Sequence, residues 1–245
     1  MNPNPIFVGL KNYLRILNEP LFKESLIHTI IYVVAAVTIE TLLGLGIALM
    51  ISEEEKIFMV IRTILIIPMV LAPVVVGILW RIIFNVDYGL LNYILGFFGT
   101  QYLFKTPSTA LASCIMVDIW MYTPYMMILF VAGLKSLPVE PFEAAKVDGA
   151  SRWNIFRFVT LPMLKPVLVV AILLRTLAAL KVFDLIYVLT FGGPGTSSEV
   201  LTMTIYKTGF KWVHLGYGAT MSWSYLIITM IPSMYFIIKF LLGEK

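Results

Sequence analysis

Charged side chains stand inside long apolar runs of this 245-residue chain: Glu40, Asp118, Arg175, Lys181 and Asp184. A charge at the centre of a bilayer costs about 2.5–3.5 kcal/mol on insertion scales, so such groups face a partner or a polar pathway. Glu40 and Arg175 have opposite signs and lie on different runs, which predicts an ion pair between helices. Lys181 and Asp184 are three residues apart, the spacing of neighbours on one helical face, and can pair there. Alternatively, Asp184 accepts hydrogen bonds from solute hydroxyls in a central cavity, with Phe183 and Tyr187 beside it. Asp118 with Trp120, Tyr122 and Tyr125 makes a second polar–aromatic group. Aromatic faces suit sugars, whose C–H faces are apolar and whose rims are polar; aromatics at span ends also serve as interface anchors.

Covalent chemistry has little to work with. Gly192-Gly193-Pro194-Gly195 is glycine-rich, yet it lacks the Gly-Lys-Ser/Thr ending and the strand and helix of a phosphate cradle. Zinc-helix and serine-elbow signatures are also lacking. The single cysteine, Cys114, excludes an intramolecular disulfide and reads as a small packing residue, and His28 and His214 are isolated. No metal site, bound cofactor or catalytic residue is therefore expected in this chain.

The most informative polar stretch is Glu143-Ala144-Ala145-Lys146-Val147-Asp148-Gly149-Ala150, running on to Leu161-Pro162 and Pro166. Pro141 fits the first turn of a helix, where its missing N–H costs nothing. Glu140 and Glu143 place negative charge at the positive end of that helix. Ala144 and Ala145 favour helix and leave a bare surface for another backbone. Gly149 supplies a left-handed stop, and Ser151 caps a second helix over 152–160 that Pro162 is expected to end. An ordinary connector between two membrane spans is the plain alternative.

Glu-Ala-Ala, then Asp148-Gly149-Ala150, Phe156 and Leu161-Pro162 resemble the EAA loop of ABC importer permeases. The resemblance implies that Glu143, Ala144, Ala145, Asp148, Gly149, Ala150, Leu161 and Pro162 belong to a cytoplasmic coupling helix docked in an ATP-hydrolysing subunit. Phe183-Asp184-Leu185-Ile186-Tyr187-Val188-Leu189-Thr190-Phe191-Gly192-Gly193-Pro194, with Thr202, Tyr206 and Phe210, resembles carbohydrate-importer permeases of the maltose and glycerol-phosphate type. Phe7-Val8-Gly9-Leu10-Lys11-Asn12-Tyr13 is similar to the segment after the first membrane helix in the same family. The family implies several partners: a second homologous permease, an ATPase dimer carrying ATP and Mg, an extracytoplasmic solute-binding protein and a carbohydrate solute. It also implies a bacterial or archaeal cell membrane. The Gly192-Gly193-Pro194 run must break a helix, and irregular backbone at membrane depth is tolerated only where it lines protein or a watery cavity. A plain surface turn is the other reading.

Composition sets the frame for these motifs. The chain is 60% hydrophobic and 13% charged, about half the charge of a soluble domain. An all-α polytopic membrane bundle follows, because the apolar runs are too long for membrane strands. The net charge of +4 is scattered over loop ends, which suits lipid headgroups and not nucleic acid.

Five spans are expected, at 25–52, 57–84, 107–134, 163–190 and 212–238, since each exceeds the roughly 20 residues a bilayer requires. Gly44 and Gly46 should allow close helix packing in the first. In the second, Pro68 and Pro73 should kink, and Arg62 and Arg81 should snorkel at its ends. Residues 1–24 form an extracytoplasmic interfacial segment, with Phe7, Leu10, Tyr13, Leu14 and Leu17 at helical spacings. Residues 25–245 form the permease domain, with its coupling loop at 135–165. The Lys and Arg bias weakly favours that loop inside. With five spans and the tail inside, the N-terminus lies outside, so a sixth, N-terminal span is expected in a longer natural chain; a true five-span subunit is the alternative. Two other functions remain open: an ion-coupled transporter using Glu40, Asp118 and Asp184, or a non-transporting membrane scaffold.

Overall fold

A computed structural model describes residues 7–51, 56–96 and 106–238. Among them are helices and turns and no strand. The helices run α1 (Lys11–Asn18), α2 (Pro20–Ile51), α3 (Lys56–Val70), α4 (Pro73–Ile83), α5 (Leu90–Gly96) and α6 (Ala110–Lys135). They continue as α7 (Glu140–Val147), α8 (Arg152–Ile155), α9 (Leu161–Leu180), α10 (Asp184–Leu189), α11 (Leu201–Tyr206) and α12 (Leu215–Ile237).

Among the described residues, α2, α6 and the continuous helix Arg152–Leu180 are each long and apolar enough to cross a membrane, and α3 with α4 makes a fourth candidate. The first and third expected spans appear as α2 and α6. The second is broken: Ala72 is extended (φ −64°, ψ 137°) ahead of Pro73, which opens α4. Proline clashes with a helical residue before it, so Pro73 starts a helix instead of kinking one. Pro68 stays inside α3. The fourth span also departs from expectation. Helix α9 stops at Leu180 because Tyr225 donates its hydroxyl to the Leu180 carbonyl (2.6 Å) and Thr202 donates to that of Val182 (2.5 Å). These hydroxyls satisfy carbonyls that a helix end leaves open.

The helix after Ser151 does not end at Pro162. It winds through a π turn at Phe156–Thr160 and continues as α9. In that turn Leu161 donates its N–H to the Phe156 carbonyl, five residues back. The wider turn accommodates the ring and missing N–H of Pro162 without ending the helix.

The chain divides into two compact units. The first comprises Met1–Ala36, Leu71–Asp118 and Ala178–Tyr235. Its core joins Ile16 and Phe22 to Leu201, Tyr217, Met221 and Tyr225. Here Thr29 Oγ1 accepts from the Leu201 N–H (2.9 Å), and Gly77 lets Val188 close on α4: a Cβ there would lie 3.1 Å from that of Val188. On α1, Leu14 and Leu17 remain exposed, as does Leu10 just before it, and Ile16 is buried. That uncovered apolar face suits the expected interfacial segment.

The second unit comprises Val37–Val70, Ile119–Leu177 and Phe236–Lys245. Ala48, Ile51, Met126, Met127, Phe130, Val131 and Ala171 form its core. Gly44 brings α2 against α6 so closely that an added Cβ would sit 2.7 Å from the Met126 Cβ. Gly46 has nothing within 4 Å of such a Cβ, so only one of the two expected glycines makes a close approach.

Candidate functional site

The Glu143–Ala150 stretch folds as its residues dictate. Pro141 lies in the first turn of α7, with Glu140 and Glu143 in the same turn. At the other end Gly149 adopts φ +75°. Its N–H reaches the Lys146 carbonyl (3.1 Å), and that of Ala150 reaches Ala145 (2.9 Å). This pair of bonds is the glycine-stopped Schellman ending. Ser151 then accepts from the Asn154 N–H (3.3 Å) and starts the next helix. Glu143, Ala144, Asp148, Gly149, Leu161 and Pro162 are exposed, while Ala145 and Ala150 are half-buried. Glu143 and Asp148 make no ion pair among the described residues. Val147 is 87% exposed, Trp153 64% and Phe158 67%. A short rigid helix thus presents small, apolar and acidic groups with no covering of their own.

The glycine-rich loop lies in the first unit. Helix α10 ends at Leu189, and Phe191 and Gly192 both have positive φ (55° and 81°). The loop is stapled by polar groups: Thr190 and Ser198 share a hydroxyl bond (2.8 Å), Ser198 donates to the Gly193 carbonyl (3.0 Å), and the Gly192 N–H reaches Thr190 Oγ1 (3.2 Å). Glu199, 2% exposed, anchors the staple. It accepts from Lys207 (2.5 Å) and Thr204 (3.0 Å), while Lys207 also reaches the Phe191 carbonyl (3.4 Å). Sequence reasoning missed Ser198, Glu199 and Lys207. No periodic signal marked them, because Glu199 precedes the helix that starts at Leu201 and Lys207 follows its end at Tyr206.

Phe183 and Tyr187 do come together, with ring centroids 5.2 Å apart. Tyr206 packs against both, at 5.0 and 5.7 Å, and Phe210 and Phe191 extend the row at either end. Lys211 sits over the Tyr187 ring at 5.3 Å. Asp184, however, does not pair with Lys181 on a helical face, because α9 ends at Leu180, before both, and α10 begins only at Asp184. It is exposed in the first turn of α10.

Glu40 and Arg175 form the expected ion pair, bidentate at 2.6 and 2.9 Å and 0% and 2% exposed. The guanidinium also lies 4.2 Å from the centre of the Tyr122 ring. Of the Asp118 group, Tyr122 and Tyr125 keep the spacing of one helical face on α6 and Trp120 does not. Asp118 is buried and Tyr122 serves Arg175, while Trp120, 41% exposed, is two residues from Asp118 and so points to a different side of α6. Cys114 is buried as expected, with its thiol facing the Thr190 hydroxyl at 3.9 Å.

Long apolar helices, a buried interhelical ion pair and an exposed short helix between two of the long ones are the architecture of a multi-pass membrane protein. Residues 40–240 match the model of the family described as "Binding-protein-dependent transport system inner membrane component", and the chain belongs to that family. It is 40% identical over 244 residues to the trehalose/maltose transport system permease protein MalF of Thermococcus litoralis, covering 98% of this chain and 80% of the relative. It is 34% identical over 218 residues to the sulfoquinovosyl glycerol transport system permease protein SmoG of Agrobacterium fabrum, covering 88% and 71%. Its fold matches a chain of a bacterial ABC transporter that imports the acidic polysaccharide alginate, with TM-score 0.88 and 21% identity over 100% of this chain and 86% of that one. An amino acid ABC transporter matches at TM-score 0.63 with 20% identity, covering 98% and 99%. The chain is a permease subunit of an ABC importer.

Proposed function

We propose that this permease forms half of the path of an ATP-driven carbohydrate importer in a bacterial or archaeal cell membrane. A second, similar permease completes the path, and an extracytoplasmic binding protein delivers the solute. Hydrolysis belongs to a separate ATPase dimer that holds ATP and Mg; this chain supplies the contact. The observation that carries the reading is α7, a glycine-stopped helix whose Glu143 and Asp148 carboxylates and bare Ala144 face are exposed. Closure of the ATPase dimer pushes on α7, and the helix running from Arg152 to Leu180 carries that motion into the membrane. Nucleotide then biases two states, inward- and outward-open.

The relatives' names support a carbohydrate solute, and the partly exposed row from Phe183 to Phe210 offers stacking faces for it. The buried ion pair weighs against an ion-coupled transporter, because Arg175 already occupies both Glu40 oxygens. A cysteine at Ala144, cross-linked in the assembled importer, should capture a nucleotide-hydrolysing protein. The activity of that protein should rise with a loaded binding protein. Capture of no ATPase, or labelling of the position from outside the cell, overturns the proposal.

A further inference from the structure

Outside the lever and the aromatic row, the first unit contains a cavity of about 270 Å³ lined by Arg81, Ser113, Thr190, Phe191, Gly193 and Pro194, among others. Among the described residues, Arg81 is the only charged one lining it, and its side chain is exposed at the cavity. The guanidinium is held in place without an acid: its carbon lies 5.1 Å from the centre of the Phe191 ring, and Nη1 donates to the Val188 carbonyl at 3.4 Å. Among the described residues Arg81 makes no ion pair. A guanidinium carries five N–H donors in a rigid fork, so most of them are left for a ligand.

Lys207, which reaches the Phe191 carbonyl, is already neutralised by Glu199. Other potential competitors are similarly engaged: Thr190 and Ser198 bond each other. The group in this cavity without an acidic partner is therefore the exposed Arg81 cation, oriented by Phe191 and the Val188 carbonyl, with an apolar floor from Phe84 and Leu189. A planar fork seated this way matches a carboxylate or phosphate in bidentate geometry. The volume falls just below the range of roughly 300–1,000 Å³ typical of small-molecule sites. It suits one sugar ring or its charged end, not a whole oligosaccharide.

We infer that the Arg81 cavity binds the anionic group of an acidic sugar, so that the imported solute carries a carboxylate or a phosphate. The inference rests on the carbohydrate-importer reading and narrows it. The aromatic row adjoins the cavity through Phe191, which stacks near Tyr187 (5.0 Å) and also carries Arg81. One residue thus belongs to both the stacking surface and the charge-selecting end.

The test uses the complete importer with its binding protein, in vesicles of phosphatidylcholine so that no anionic headgroup competes. Uptake of trigalacturonate, glucose 6-phosphate and maltotriose is compared in wild type, Arg81→Gln and Arg81→Lys. Wild type should prefer one acidic probe over maltotriose by about tenfold or more, the scale of a charge-assisted bidentate contact. Which acid is preferred separates carboxylate from phosphate. Arg81→Gln should abolish that preference, and Arg81→Lys should retain part of it, as a cation without the fork. Uptake of maltotriose in preference to both acids overturns the inference and leaves the carbohydrate reading standing. An equal loss of all probes in Arg81→Gln also overturns it, since the residue would then only hold the fold. Uptake of no probe by wild type removes the carbohydrate reading and the inference together.

Discussion

Arg175 and Glu40 show how a single pair of residues can be read and tested. Burial of either charge alone is prohibitive, so the presence of both in apolar runs predicted their meeting across 135 positions of sequence. Arg175→Met should leave Glu40 buried without a cation and lower stability by about 3–5 kcal/mol. Thermal unfolding of the purified subunit in detergent measures this. The double variant Glu40→Gln with Arg175→Gln should lose less, because no net charge is stranded. Glu199 was harder to see. Its partner Lys207 lies beyond a helix start at Leu201, and Thr204 reaches the same carboxylate from between them. Nothing in the local sequence says that this acid holds Lys207, which in turn reaches the Phe191 carbonyl of the loop. Glu199→Ala should strand the Lys207 amine and loosen the glycine-rich loop, giving faster proteolysis there than in wild type.

At the scale of elements, what is local was legible and what is tertiary was not. The start, composition and stop of α7 follow from Pro141, Glu143 and Gly149, and the structure reproduces each. Gly149 has nothing within 4 Å of an added Cβ, so the penalty for Gly149→Val comes from its positive φ alone. That variant should keep assembly but uncouple ATP hydrolysis from uptake in vesicles; normal coupled transport would show that the lever does not transmit. The end of α9 was illegible because hydroxyls of Tyr225 and Thr202, far along the chain, donate to the Leu180 carbonyl at its end and to the Val182 carbonyl just beyond. Gly44 gives the opposite case: a glycine in an apolar run predicted close packing, and α6 lies against it. Gly44→Leu should overpack this contact and cost about 1–3 kcal/mol, read as a lower melting temperature in detergent.

For the whole molecule, composition and run length were enough to give an all-helical membrane protein, and two motifs were enough to give its family. Boundaries were less secure: α2 begins at Pro20, ahead of the expected residue 25, and Pro73 divides what looked like one span. Both misreadings have one cause. Apolar run length reports where a chain is greasy, whereas helix ends depend on proline geometry and on capping partners from elsewhere. The grouping of Asp118 with Trp120 failed for a related reason, since proximity in sequence does not place side chains on one face. The aromatic row succeeded in part: Phe183 and Tyr187 were anticipated, and Tyr206 and Phe210 joined them from a segment 19 and 23 residues beyond Tyr187.

The wide turn at Phe156–Thr160 acts as a one-residue shim in the shaft between lever and membrane. An α-helix packs about 3.6 residues into each turn, whereas this one closes a bond between Phe156 and Leu161, so it takes up one extra residue while the shaft keeps its direction. Deleting Val159 should return the segment to ordinary winding and leave Trp153 and the attached helix on nearly the same azimuth. The shortened protein should still insert in the membrane and keep its ATPase cross-links from Ala144→Cys; their loss would show that the wide turn itself aims the lever.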